Sequence, residues 1–114
     1  MTAGPGEAQI RTQLGVLAEK FLQRTSGQLV IMREQLAAVA AGDRQALQMI
    51  EELAHKIHGS GAMFGFPLLS ECGGELERFS ADCQPEPEPA NRLRELLERL
   101  AEALDATRRQ GRAP

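Results

Sequence analysis

Apolar residues recur three or four positions apart along nearly all of this 114-residue chain, a spacing that admits helices and little else. Ile10, Leu14, Leu17, Phe21 and Leu22 form a first stripe, and Leu29, Met32, Leu36 and Val39 a second. Leu47, Ile50, Ala54, Ile57 and Gly61 make a third. Leu68, Leu69, Cys72, Leu76 and Phe79 read as the inward face of a fourth helix, and Leu93, Leu97, Leu100 and Leu104 of a fifth. No segment alternates polar and apolar residues over a useful strand length. Four Phe are the only aromatic residues, so the core has to come from Leu, Ile, Val, Met and Ala, which suits helices. The expected fold is all-α: an antiparallel four-helix bundle with an additional N-terminal lead-in helix.

Punctuation divides these stripes. Thr25-Ser26-Gly27 is expected to break or bend the first stretch away from the second. Gly42 suits a helix C-terminus, and Asp43 is placed to cap the next helix. Gly65 ends that helix, and Pro67 fits the first position of the following one. The run Pro85-Glu86-Pro87-Glu88-Pro89 reads as an extended, solvated connection, because alternate prolines remove donors and fix φ. The last helix is then expected from Ala90, with Glu88→Arg92 and Glu95→Arg99 in the favourable i,i+4 order. Residues 7–107 make one domain, between a frayed tail at 1–6 and a loose basic tail at 108–114. The short tails fit a chain that stands alone.

Composition excludes several function classes. A net charge of −3 gives no electrostatic drive toward nucleic acid or an anionic membrane. No apolar run is long enough to span a bilayer, and Met1–Gly6 does not read as a signal peptide. Cys72 and Cys83 have no metal-ligand spacing and are expected to be reduced thiols of a cytoplasmic, monomeric protein.

Chemistry concentrates on the third helix. It carries both histidines, His55 and His58, and then Gly59, Gly61 and Gly65. At about 100° per residue, His55 falls about 140° from the centre of the apolar stripe and His58 about 80°. His55 is thus expected to face water, with His58 on the shoulder of the core. Gly59 lies one turn beyond His55 on the same side, leaving room for another surface to approach. Gly61 faces the core, where close helix packing accounts for it, and Gly73-Gly74 is expected to permit tight packing or a bend.

The segment Leu53-Ala54-His55-Lys56-Ile57-His58-Gly59-Ser60-Gly61-Ala62-Met63-Phe64-Gly65 resembles the signature of histidine-containing phosphotransfer (HPt) domains. That signature reads Ala-His, any residue, an aliphatic, Lys, Gly, and a further Gly six residues on; His55, Ile57, Gly59 and Gly65 fall on its positions. Leu69, Leu76 and Glu77 match its downstream pattern, and Phe21-Leu22, Leu29 and Ala41-Gly42-Asp43 its first hairpin, so the similarity covers residues 10–107. His58 stands where the family usually has Lys, and the interval from Asp43 to His55 is about a turn longer than is common.

The resemblance implies a phosphorelay intermediate that accepts a phosphoryl group on His55. Its implied partners are a sensor or hybrid histidine kinase and the aspartate of response-regulator receiver domains. No cofactor is implied for the chain itself, since the receiver brings Mg²⁺ and the acceptor carboxylate. With no Gly-rich phosphate loop it would carry phosphate rather than take it from ATP, and so would not be an enzyme. Glu51, one turn before His55, is a candidate to hold the Nδ1 proton and leave Nε2 as nucleophile, although a solvated carboxylate is the plainer reading. His58 is either a phosphate contact or a cover for the core edge. Two other functions fit the same residues: an HPt-like adaptor that binds a receiver or kinase without carrying phosphate, and a metal-binding bundle using Glu51, His55 and His58.

Overall fold

The computed structural model describes residues 5–111, and they form four helices in series. These are α1 (Pro5–Ala40), α2 (Arg44–Met63), α3 (Pro67–Asp82) and α4 (Pro87–Gly111). Successive helices run antiparallel, and α4 closes the bundle against both α3 and α1. Among the described residues there is no strand.

The first two connections are built the same way. Gly42 at φ +96° and Gly65 at φ +76° take the left-handed conformation that lets a helix stop within one residue. Gly42 N–H donates to Val39 O (3.0 Å) and Asp43 N–H to Ala38 O (2.9 Å), which satisfies the last carbonyls of α1. Gly65 N–H to Ala62 O (3.2 Å) and Phe66 N–H to Gly61 O (2.8 Å) repeat the pattern on α2. Asp43 then caps α2 at once, its Oδ1 accepting from the N–H groups of Gln45 and Ala46. Pro67 opens α3, where its missing N–H costs nothing.

Three expectations about the helices are corrected. The lead-in helix and the next one are a single helix of 36 residues, α1. Thr25 does not break it because the residue is fully buried and its hydroxyl donates back to Phe21 O at 2.8 Å. The proline run is only partly extended: Pro87 and Pro89 occupy the first turn of α4, where N–H groups have no intrahelical partner anyway, and Ala90 N–H makes the first bond, to Glu86 O at 3.1 Å. Helix also reaches into both segments read as tails, since α1 starts at Pro5 and α4 runs to Gly111. The remaining residues, 1–4 and 112–114, lie outside the described ones.

The core joins Met32, Val39, Ile50, Ile57, Leu69, Leu76, Leu93, Leu97 and Leu100, all fully buried, and each stabilises the bundle by about 1.5–3 kcal/mol. The expected stripe of α2 is buried throughout. Elsewhere the inward faces shift. Ile10, Leu14 and Leu17 are half-exposed because nothing packs on the first part of α1, and Leu68 is exposed while Ser70, Gly73 and Gly74 turn inward on α3. The i,i+4 pairs expected on α4 give way to a link between helices. Arg99 Nη1 reaches Glu75 Oε1 of α3 at 3.0 Å, and Arg92 pairs with Glu95 at 2.9 Å.

Glycine sets how closely α2 and α3 approach. A Cβ on Gly61 would stand 2.9 Å from Ser70 N, and one on Gly73 would stand 2.8 Å from His58 N and 3.2 Å from Ala54 O. These neighbours are backbone, so a methyl group there has to push the helices apart. Gly73→Ala should therefore destabilise the fold by about 1–3 kcal/mol in denaturant unfolding, overpacking outweighing the gain in helix propensity. Gly59→Ala, whose Cβ meets nothing within 4 Å, should hold or raise stability in the same measurement. Equal midpoints for the two variants would contradict this account of the helix contact.

Candidate functional site

The close approach at Gly61 and Gly73 puts successive turns of α2 and α3 in register. Gly61 lies on Ser70, His58 on Ser70 and Gly74, and His55 opposite Glu77. His55 stands near the middle of α2 with its side chain 71% exposed, as the helical wheel requires. Its Nδ1 lies 2.6 Å from Glu77 Oε2, and the Glu77 side chain is only 27% exposed. An ionised carboxylate can only accept a hydrogen bond, so the shared proton sits on Nδ1. In the neutral ring Nε2 then carries the lone pair, on a side chain that is mostly exposed.

Glu77 therefore fills the role for which Glu51 was a candidate. Glu51 lines the same shallow recess, with Glu52, His55, Lys56 and Glu77, but the hydrogen bond to the ring comes from α3. The recess holds a single cation, Lys56. Lys56 also lines the neighbouring groove between α1 and α2, together with Phe21, Arg24, Gln28 and Ser60. Sequence reasoning missed Lys56, although its place directly after His55 was a usable signal.

His58 turns away from this recess. Its Nδ1 donates to Ser70 O at 2.7 Å, and Ser70 Oγ donates to His58 O at 2.9 Å. The ring packs over Gly74, where a Cβ would come within 2.8 Å of Nδ1. Of its two sequence readings, the geometry matches the cover for the core edge. Gly59 leaves open space one turn beyond His55, on the exposed side. The metal reading finds no assembly: among the described residues no three His, Cys, Asp or Glu side chains are placed to hold a metal ion. Burial pushes both the Cys72 and Cys83 thiols above their ordinary range, which keeps them protonated and poor nucleophiles.

An exposed imidazole hydrogen-bonded to a carboxylate through Nδ1 thus stands on the second helix of a four-helix bundle. The Hpt domain family matches residues 16–108. The chain belongs to the Hpt domain family. Hpt domains are helical phosphocarriers of two-component signalling that exchange phosphoryl groups with histidine kinases and receiver domains. Among curated proteins and among solved structures nothing matches the chain. No helix of the described residues is long and apolar enough to cross a membrane.

Removing the His58 ring from this Hpt domain takes away its hydrogen bond to Ser70 O and should cost about 1 kcal/mol of stability. His58→Ala should lower the denaturation midpoint accordingly. Its rate of phosphoryl transfer relative to wild type should stay the same from mildly acidic to mildly alkaline pH. A ratio that falls as the pH drops would show instead that a charged His58 attracts phosphate.

Proposed function

We propose that His55 is the residue that carries the phosphoryl group, accepting it at Nε2 from a receiver aspartate or a kinase and passing it on. The observation that supports this most directly is the 2.6 Å contact between His55 Nδ1 and Glu77. Because the proton is on Nδ1, none has to leave Nε2 during attack. The Nε2 lone pair forms the new P–N bond while the acyl P–O bond of the aspartyl phosphate breaks and the carboxylate departs. The ring becomes cationic once phosphorylated, and the Glu77 carboxylate offsets that charge from the far side. Lys56, beside the recess, attracts the incoming phosphoryl oxygens. Mg²⁺ arrives with the receiver, which also supplies the acceptor carboxylate.

The same face suits a receiver. Met49 lies two turns before Lys56 on α2, and Ile31 lies one turn after Gln28 on α1, so helical spacing sets both toward the side of the α1–α2 groove. Both are exposed, Met49 at 41% and Ile31 at 42%. With Arg24 and Lys56 alongside, they give an apolar patch with charge at its edge.

Two experiments check this reading. Incubation with phosphoramidate or a charged receiver, followed by intact mass, should give one phosphate adduct that survives alkali and is lost in mild acid. His55→Gln should abolish the adduct without altering the helical signal, and Lys56→Gln should slow its formation. An acid-labile adduct on His55→Gln would contradict the assignment.

Gly59→Leu separates chemistry from docking. It should leave stability equal or higher by up to about 1 kcal/mol, since an exposed helical glycine is replaced. Loading from phosphoramidate should be unchanged, whereas transfer from a receiver should fall because the new side chain stands in its path. Unchanged receiver rates would place the approach on another side of His55.

A further inference from the structure

The first part of α1 lies outside the bundle. Phe21 stacks on Phe64 and Phe66, with ring centroids 5.5 and 6.1 Å away, and this cluster marks the base where α2 turns into α3. Residues 6–20 precede it on the same continuous helix and project about 22 Å past that base. The chain's dimensions record the projection: 58 Å long but 22 and 19 Å across. Its radius of gyration is 16.3 Å, where a compact chain of this length has about 13 Å.

The projecting helix is amphipathic. Ile10, Leu14 and Leu17 follow one another at spacings of four and three and are 56%, 53% and 49% exposed. At the base Met63 and Leu68 are 72% and 43% exposed. Ile10, Leu14, Leu17, Met63 and Leu68 offer roughly 500 Å² of mainly apolar surface, close to the apolar share one subunit brings to a standard homodimer interface.

We propose that a second copy of this chain covers this surface, the two projecting helices pairing antiparallel about a two-fold axis near Gln13 and Leu14. The charges support that occupant. Residues 6–20 carry Glu7, Arg11, Glu19 and Lys20, so two copies do not repel, and there is no basic face to seek an anionic lipid surface. In this register Ile10 of one copy meets Leu17 of the other, and Glu7 meets Lys20. The tip of each helix also reaches the other copy's base, where Met63 and Leu68 are exposed and where α4 ends in Arg108 and Arg109. Glu7 is complementary to those arginines as well. Ile10, Leu14 and Leu17, read in the sequence as one apolar stripe, do not face the chain's own core. His55 lies about 12 Å along α2 from Met63, so the pairing leaves both phosphate sites open.

Light scattering behind size exclusion, over a wide concentration range, tests the proposal without reference to phosphotransfer. The wild-type chain should run as a dimer that dissociates on dilution. Leu14→Glu combined with Leu17→Glu should be monomeric at every concentration with its helical signal and cooperative unfolding retained. Glu7→Lys should weaken the dimer several-fold, and adding Lys20→Glu should restore it. A wild-type monomer throughout, or a dimer indifferent to the two leucine changes, would overturn the proposal. A wild-type monomer that co-sediments with phosphatidylglycerol vesicles would overturn it too, in favour of a lipid surface.

Discussion

Between α2 and α3 there is no room for a side chain at Gly61 or Gly73, and the rest of the structure follows from that contact. Backbone meets backbone there, with prospective Cβ positions under 3 Å from Ser70 N and His58 N. Two helices held this closely can slide only by a full turn. Every third or fourth residue of α2 is thereby assigned a partner on α3: Gly61 to Ser70, His58 to Ser70 and Gly74, His55 to Glu77. The short turn through Gly65 and Phe66 fixes the same register from the end, because its hydrogen bonds leave no slack between the helices. The His55–Glu77 pair is the exposed rung of a ladder whose other rungs are packing contacts.

This arrangement explains how a small helical surface controls the chemistry of one imidazole. A solvent-facing histidine alone exchanges its proton between the two ring nitrogens. A carboxylate 2.6 Å from Nδ1 removes that freedom and leaves one nitrogen free to attack. Glu77 can do this because it is mostly covered and set on a rigid helix, whereas Glu51 and Glu52 stand on the helix of His55 itself. The three carboxylates around the recess oppose the accumulation of negative charge, and Lys56 is the one cation there to offset them.

Much of this was legible in the chain, for local reasons. The apolar stripe of α2, its Asp43 cap, the two left-handed glycines and the open side at Gly59 depend on neighbours within a turn or two, and periodicity reports these. Readings that depended on distant partners went astray. Thr25-Ser26-Gly27 has weak helix propensity, but burial of Thr25 against the bundle overrides it. Glu51 was the carboxylate one helical turn before His55, whereas the one that binds it is 22 residues away. The shoulder position of His58 was right, but a wheel gives only an angle and cannot say that Ser70 waits on the adjoining helix. A stripe likewise shows that a helix has an apolar face without naming what covers it, as Ile10, Leu14 and Leu17 demonstrate.

The account rests most heavily on which ring nitrogen of His55 is free. Long-range ¹H–¹⁵N correlation spectra of the imidazole side chains, recorded at mildly alkaline pH, read this directly. The His55 resonances should show a protonated Nδ1 and an unprotonated Nε2, and Glu77→Gln should keep Nδ1 near an acceptor while Glu77→Ala lets the two tautomers mix. After loading with phosphoramidate, ³¹P coupling should appear on Nε2. A wild-type spectrum with the proton on Nε2, or phosphorus bonded to Nδ1, would contradict the account.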